Sequence, residues 1–167
     1  YQGEIAKKIV AEMERNGGLI TLKDLGNYKV KERVPIKGTY KGYEIVSMPP
    51  SSSGGVHLIQ MLNMLEPFSL NEMGFGSAET IHLLSEVMKR AYSDRSKYLG
   101  DTDFVEVPLK GLTSKTYAKN LLKEISLSKV TSSKDISQGN PLPYESPDTT
   151  HFSVMDDLGN VVSNTYT

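Results

Sequence analysis

Asp148-Thr149-Thr150-His151-Phe152-Ser153-Val154-Met155-Asp156, followed by Asp157-Leu158-Gly159-Asn160 and Val161-Val162-Ser163-Asn164-Thr165-Tyr166-Thr167, decides the reading of this chain. Polar and apolar residues roughly alternate in both arms, as in a strand with one buried face. The Gly159-Asn160 pair falls in the turn, where both residue types tolerate positive φ, so the stretch is expected to form a β-hairpin. The first arm opens on two threonines directly after a polar tract punctuated by proline. A threonine at the head of a strand, just past a cleavable loop, is what N-terminal-threonine chemistry requires. Its hydroxyl is the nucleophile, and its own α-amino group, once freed, is the base. Alone, Thr-Thr also suits ordinary β-branched strand filling.

Composition narrows the alternatives. The 167 residues are enough to bury one sizeable core, and the 38% apolar and 23% charged fractions are those of a globular protein. A formal net charge of −1 makes no electrostatic case for nucleic acid or an anionic membrane as partner. The chain has no cysteine, which removes disulfides, thiol catalysis and thiolate-bound zinc. No apolar run approaches the ~18 residues of a membrane span. The chain opens on Tyr1 and stops on a strand, so it reads as an internal piece of a longer polypeptide.

Upstream, Ile5, Ile9, Val10 and Met13 fall at helical spacing, and Asn16-Gly17-Gly18 stops that helix. Thr21 with Asp24 marks the start of a short helix over 22–27. A strand pair is expected next, Tyr28 to Val34 with Glu44 to Met48, and Tyr40-Lys41-Gly42-Tyr43 reads as turn-like. Pro49-Pro50-Ser51-Ser52-Ser53-Gly54-Gly55 opens a helix over about 56–65, with Leu58, Ile59, Leu62 and Leu65 inward. Its glycines suit close packing, with Ser53 as a cap. They do not match a phosphate loop, because no Gly-Lys-Ser/Thr follows.

Ser77 starts the longest helix, to about Leu99. Ala78, Ile81, Leu84, Met88, Ala91 and Tyr92 form its expected apolar stripe, and Glu79, Glu86, Lys89 and Arg90 its outer face. Asp94 and Arg95 are adjacent, point in different directions and each need a partner, which suggests a structural polar network at a domain joint, with a direct catalytic role as the alternative. His57 and His82 read as packed or partly solvated histidines, with no metal-ligand spacing around them. A further helix spans about 113–124. Residues 126–148 are rich in Ser, Lys and Pro, and are expected to form a flexible tether that leads into Thr149.

Four stretches occur together in one order: Asn16-Gly17-Gly18-Leu19-Ile20-Thr21; Met48-Pro49-Pro50-Ser51-Ser52-Ser53-Gly54-Gly55; Ala91-Tyr92-Ser93-Asp94-Arg95-Ser96-Lys97-Tyr98-Leu99-Gly100-Asp101; and Thr149-Thr150-His151-Phe152-Ser153-Val154. In that order they resemble the γ-glutamyltranspeptidases, bacterial members above all, over essentially the whole chain. The resemblance implies an α/β (α+β) fold, a piece of the four-layer αββα sandwich of the N-terminal-nucleophile hydrolases. Residues 1–148 would be the C-terminal part of a large subunit. Residues 149–167 would be the first hairpin of a small subunit. The two would form one intertwined domain that is incomplete at both ends.

The resemblance also implies self-cleavage between Asp148 and Thr149, with Thr149 as nucleophile and base, and Thr167 as the second threonine that hydrogen-bonds its hydroxyl. The implied substrates are glutathione or other γ-glutamyl amides, with an amino acid, peptide or water as acceptor. The remaining large- and small-subunit segments would be partners, and no cofactor or metal is implied. The groups that bind the substrate's carboxylate and amine would lie outside 1–167, so this piece by itself is not expected to turn over substrate. Bacterial members are exported, which implies a periplasmic or extracellular location. Asp148 departs from the Asn or Gln that many members carry there, which bears on the cleavage rate. Two alternatives stay open: a cephalosporin, glutaryl or poly-γ-glutamate enzyme of the same fold, and an unprocessed chain acting only as a scaffold.

Overall fold

The computed structural model of the chain describes residues 1–145, 150–156 and 158–166. It divides into two compact units, Tyr1–Arg33 and Val34–Thr167. In the first unit, α1 spans Glu4–Asn16 and buries Ala6 and Val10. Gly17 ends it in the left-handed conformation (φ 71°), with backbone N–H groups returned to the Met13 carbonyl. Helix α2 follows over Leu22–Asn27 behind a reciprocal cap. Thr21 Oγ1 accepts from the Asp24 amide at 3.2 Å, and Asp24 Oδ2 accepts from the Thr21 amide at 2.8 Å.

The second unit opens with a hairpin of β1 (Ile36–Tyr40) and β2 (Tyr43–Ser47), paired from Tyr40↔Tyr43 out to Ile36↔Ser47. The strand expected over 28–34 is not formed, and the true partner lies beyond Pro35. The turn explains this. Lys41 and Gly42 both take positive φ (47° and 87°), the two-residue connection that matches strand twist. Such a turn fixes the register outward from itself, so the pairing strand must be the residues immediately before it. A lysine seldom adopts positive φ. Here the Lys41 amide donates to Glu66 Oε1 at 3.0 Å, and its ammonium donates to the Phe68 carbonyl at 2.8 Å.

Helix α3 (Gly54–Leu65) packs against β1, α5 (Ala78–Tyr98) and α7 (Lys115–Leu122). A single turn, α4 (Leu70–Met73), precedes α5, and another, α6 (Leu109–Leu112), precedes α7. Ser77 caps α5 by accepting from the Thr80 amide, and Ser114 caps α7 by accepting from Tyr117. Val56 and Met64 of α3, Leu83, Val87 and Ala91 of α5, Leu112 of α6 and Ala118 of α7 make the core.

The buried faces differ from the apolar stripes read in the sequence. On α3, Leu58 is 40% exposed, while His57, Gln60 and Asn63 are buried beside Val56, Ile59 and Met64. On α5, Ile81, Met88 and Tyr92 are exposed, and the buried line runs Thr80, Leu83, Val87, Ala91, Asp94. Ala91 of the expected stripe is in that line and Leu84 packs against the core, but Leu83 and Val87 sit one residue, about 100°, away from the expected Leu84 and Met88. The shift carries Glu86 and Arg90, expected outside, into the interior at 0% and 3% exposure.

Ser53 sits at the head of α3 but makes no capping hydrogen bond; Ser52 Oγ accepts from the Gly54 amide instead. Gly55 is sterically required, because a Cβ there would collide with the Met48 carbonyl. Gly55→Ala in the full-length protein should therefore cost about 1–3 kcal/mol in a urea unfolding curve.

Candidate active site

The last described elements are β3 (Thr150–Met155) and β4 (Val161–Tyr166), antiparallel from Met155↔Val161 to Thr150↔Tyr166. Asp156 organises their turn. Its Oδ1 accepts from the Leu158 and Asn160 amides, both at 2.9 Å, and its Oδ2 accepts from the Asn160 side chain at 2.7 Å. These bonds, that of the Asn160 side chain foremost, hold the Asp156 carboxyl below the ordinary carboxylate range. Gly159 supplies the positive φ of 80° expected of it. Asp148, Thr149 and Thr167 lie outside the described residues.

The segment before them, 126–145, carries only two short 3-10 turns, Ser133–Asp135 and Leu142–Tyr144. It is nevertheless fastened at successive points, chiefly to polar side chains of α5. The Ser126 carbonyl meets His82 Nε2 at 2.8 Å. The Thr131 amide donates to Glu86 Oε1 at 3.0 Å, and its carbonyl accepts from Lys89 at 2.8 Å. The Gly139 amide donates to Asp94 Oδ1 at 2.8 Å, and its carbonyl accepts from Tyr98 Oη at 2.8 Å. Glu145 Oε2 then accepts from the Gly111 amide at 2.8 Å, while Oε1 stands 3.4 Å from the Lys110 amide.

Asp94 is the hub of the polar network expected near the end of α5. It is 1% exposed. Besides Gly139, it accepts from Gln60 Nε2 at 2.6 Å and from Tyr117 Oη at 2.7 Å. A buried carboxylate is tolerated when its lone pairs are satisfied in this way. Burial pushes the Tyr117 phenol well above its ordinary pKa, and the Asp94 carboxylate beside it adds to the rise, so Tyr117 stays a donor. Arg95, by contrast, is exposed.

Glu86 forms the second buried node. Burial raises its carboxyl, but hydrogen bonds from Lys89, Thr131 and Arg90 outweigh that and bring its pKa down to about 2. Arg90 Nη1 reaches Glu86 Oε2 at 2.9 Å, and Nη2 donates to the Glu124 carbonyl at 2.7 Å. His57 is buried and stacks on Tyr92, ring centroids 5.3 Å apart. Burial, and then Arg95, lower its pKa against an opposing pull from Asp94, so it is a neutral packed imidazole.

A polar hollow of about 300 Å³, lined by Ser51, Ser53, Arg95 and Asp101 among others, opens beside the start of α3. Among the described residues no group of three or more His, Asp and Glu side chains could hold a metal ion. Among the described residues, no helix is long and apolar enough to cross a membrane.

Sequence reasoning found Asp94 through the need of a helix-borne charge for a partner. It missed Glu86, Gln60, Tyr117 and Glu145, whose partners lie on other elements or on segment 126–145: Asp94 for Gln60 and Tyr117, the Thr131 amide with Lys89 and Arg90 for Glu86, and α6 amides for Glu145.

The fold has solved counterparts. The γ-glutamyltranspeptidase of Helicobacter pylori superposes with a TM-score of 0.74 at 49% identity, over 83% of this chain and 40% of that one. The architecture is thus that of the N-terminal-nucleophile hydrolases, an α/β sandwich class. The family model described as Gamma-glutamyltranspeptidase matches residues 1–167. Among curated relatives, a glutathione hydrolase proenzyme of Escherichia coli is 53% identical over all of this chain and 29% of its own length. An Acylase ACY 1 proenzyme of a Pseudomonas species is 44% identical, again over the whole chain and 29% of that protein. The chain belongs to the γ-glutamyltranspeptidase family, and it spans under a third of the length of these relatives.

Proposed function

We propose that the chain carries the cleavage site and nucleophile of a γ-glutamyl transferase and hydrolase. The observation that carries the reading is the 53% identity, end to end, with a relative named glutathione hydrolase proenzyme. It is joined by a Thr-Thr pair in the sequence whose second member, Thr150, opens β3. In the precursor, Thr149 Oγ attacks the Asp148 carbonyl carbon. The amide C–N bond breaks, the nitrogen takes the hydroxyl proton, and an ester remains. Water then opens the ester, leaving a carboxylate on Asp148 and a free amine and hydroxyl on Thr149.

In turnover the amine takes the hydroxyl proton and returns it to the leaving amine, while a γ-glutamyl-threonine ester forms. Water releases glutamate from that ester, and an amino acid or peptide gives a new γ-glutamyl amide. The family resemblance supports Thr167, which follows β4 in sequence as Thr149 precedes β3, as the second threonine.

In this reading, residues up to Asp148 end the large subunit and Thr149 begins the small one of a heterodimer. The family resemblance to exported bacterial members supports a periplasmic or extracellular location. The acylase relative at 44% identity favours a second reading, in which the same nucleophile takes a different acyl group. Full-length protein assayed on a γ-glutamyl anilide and on a glutaryl amide separates the two. The cleavage site is tested by N-terminal sequencing of the smaller product, which should begin at Thr149. Any other start moves the nucleophile.

A further inference from the structure

Asn16-Gly17 is the one Asn-Gly step in the chain, and it lies exposed where α1 ends. Asparagine before glycine is chemically labile. The nitrogen of the following residue can close a five-membered ring on the asparagine side chain, and a glycine has no Cβ to hinder the approach. Two restraints oppose that closure here. The Gly17 amide donates to the Met13 carbonyl as part of the left-handed helix stop, and the Gly18 amide donates to the same oxygen at 2.7 Å. The Asn16 side chain is folded back on the preceding turn. Its Nδ2 donates to the Glu12 carbonyl at 3.0 Å and to Glu12 Oε1 at 2.6 Å. Arg15 holds the other oxygen of Glu12. Glu12, Arg15 and Asn16 are all exposed, so opening this one turn releases the restraints without disturbing a core.

We propose that Asn16 is a self-modifying site, converted to aspartate and isoaspartate at a rate set by opening of the last turn of α1. In the opened turn the Gly17 nitrogen, its proton lost to solvent base, attacks Asn16 Cγ. The Cγ–Nδ2 bond breaks, Nδ2 takes protons from water and leaves as ammonia, and a cyclic imide remains. Water then opens the imide, so the net change is amide plus water to acid plus ammonia. Breaking the bond from the Gly17 nitrogen to Cγ restores the ordinary backbone with an aspartate. Breaking its bond to the backbone carbonyl carbon leaves isoaspartate, whose chain runs through Cβ. Either product favours the open turn. A carboxylate on residue 16 repels Glu12 one turn back instead of donating to it, and it sits at the helix end that carries negative partial charge. One hydrogen bond of this kind contributes roughly a factor of five to an equilibrium. The two restraints together should therefore hold conversion in the folded protein roughly 25-fold below that of the unfolded chain.

The test incubates full-length protein at mildly alkaline pH, in buffer and in unfolding urea, and reads the converted fraction at residue 16 by peptide mass spectrometry. Glu12→Ala removes the side-chain acceptor of Asn16. It should convert roughly fivefold faster than wild type in buffer and no faster in urea. Glu4→Ala removes the exposed Glu4–Lys7 pair at the other end of the same helix and should convert at the wild-type rate. Asn16→Gln should not convert, because its ring would be larger and slower to close. Converted molecules should exchange the amide hydrogens of residues 12–18 faster than unconverted ones. No conversion in urea overturns the site itself. Equal rates in buffer and urea, or in wild type and Glu12→Ala, overturn the control by the helix end. Equal acceleration by Glu4→Ala overturns it too, as a loss of helix stability at large.

Discussion

Thr149→Ala in the full-length protein should yield one uncut band and an activity lower by at least ~10³-fold, because in the proposed mechanism the side chain lost serves two reactions. In the proposed mechanism its hydroxyl makes the precursor's cut intramolecular, and the same oxygen would carry the γ-glutamyl group in the mature protein. Neither role passes to Thr150, whose nitrogen stays in a peptide bond and has no free pair to act as base. Thr149→Ser keeps both the hydroxyl and the amine, so it should retain part of each reaction. The α-amino base gives the activity a pH signature. An unperturbed amine titrates near 7.7–8.0, so kcat/KM should rise through about that range as the amine becomes neutral. An enzyme using a buried carboxylate as its base would instead show its rise several units lower. A Thr149→Ala protein that matures like wild type would refute the assignment at its root.

How much of this was legible in the sequence depends on where each element's partner lies. The capping box at Thr21 and Asp24, the Gly17 stop, the Ser77 start and the turn at Asp156–Asn160 were readable because cause and effect lie within a few residues. The hairpin register was misjudged because a seven-residue alternating stretch, Tyr28 to Val34, looked more strand-like than Ile36-Lys37-Gly38-Thr39-Tyr40. The Lys41-Gly42 turn decides between them, and its authority over register outweighs strand propensity. The α5 stripe failed for a different reason. Its buried face is chosen by what packs on it, and that includes a polar strap whose backbone needs charged partners. Hydrophobic periodicity cannot register a face that buries Glu86, Arg90 and Asp94. Thr149 and Thr167 are singled out by family resemblance and the hairpin pattern and lie outside the described residues, whereas Glu145 had no local signal at all.

Arg90→Met should cost about 3–5 kcal/mol of stability, the largest loss expected from any single change away from the nucleophile. The methionine can replace most of the arginine's packing, so the loss isolates the charge. Removal strands Glu86 Oε2 in a site with 0% exposure and leaves the Glu124 carbonyl without its Nη2 donor. Lys89 and the Thr131 amide still hold Oε1, which keeps Glu86 ionised and makes the stranded oxygen costly. Removing the acid as well, in Glu86→Leu with Arg90→Met, should cost less than the two single losses added together, because two well-packed apolar side chains leave no buried charge.

The same node sets an acid limit. Glu86 titrates near 2 in the folded chain, against an ordinary 4.5. A depressed carboxyl contributes stability that is fully present above about pH 4.5 and is lost as pH falls toward 2. Its full contribution is on the order of 3 kcal/mol. The melting-temperature gap between wild type and Glu86→Gln should therefore be constant from pH 7 to about 5 and close steadily below that. A gap that kept its full pH 7 width down to about pH 2 would mean that the Glu86–Arg90 contact stabilises by packing, with its charge contributing nothing.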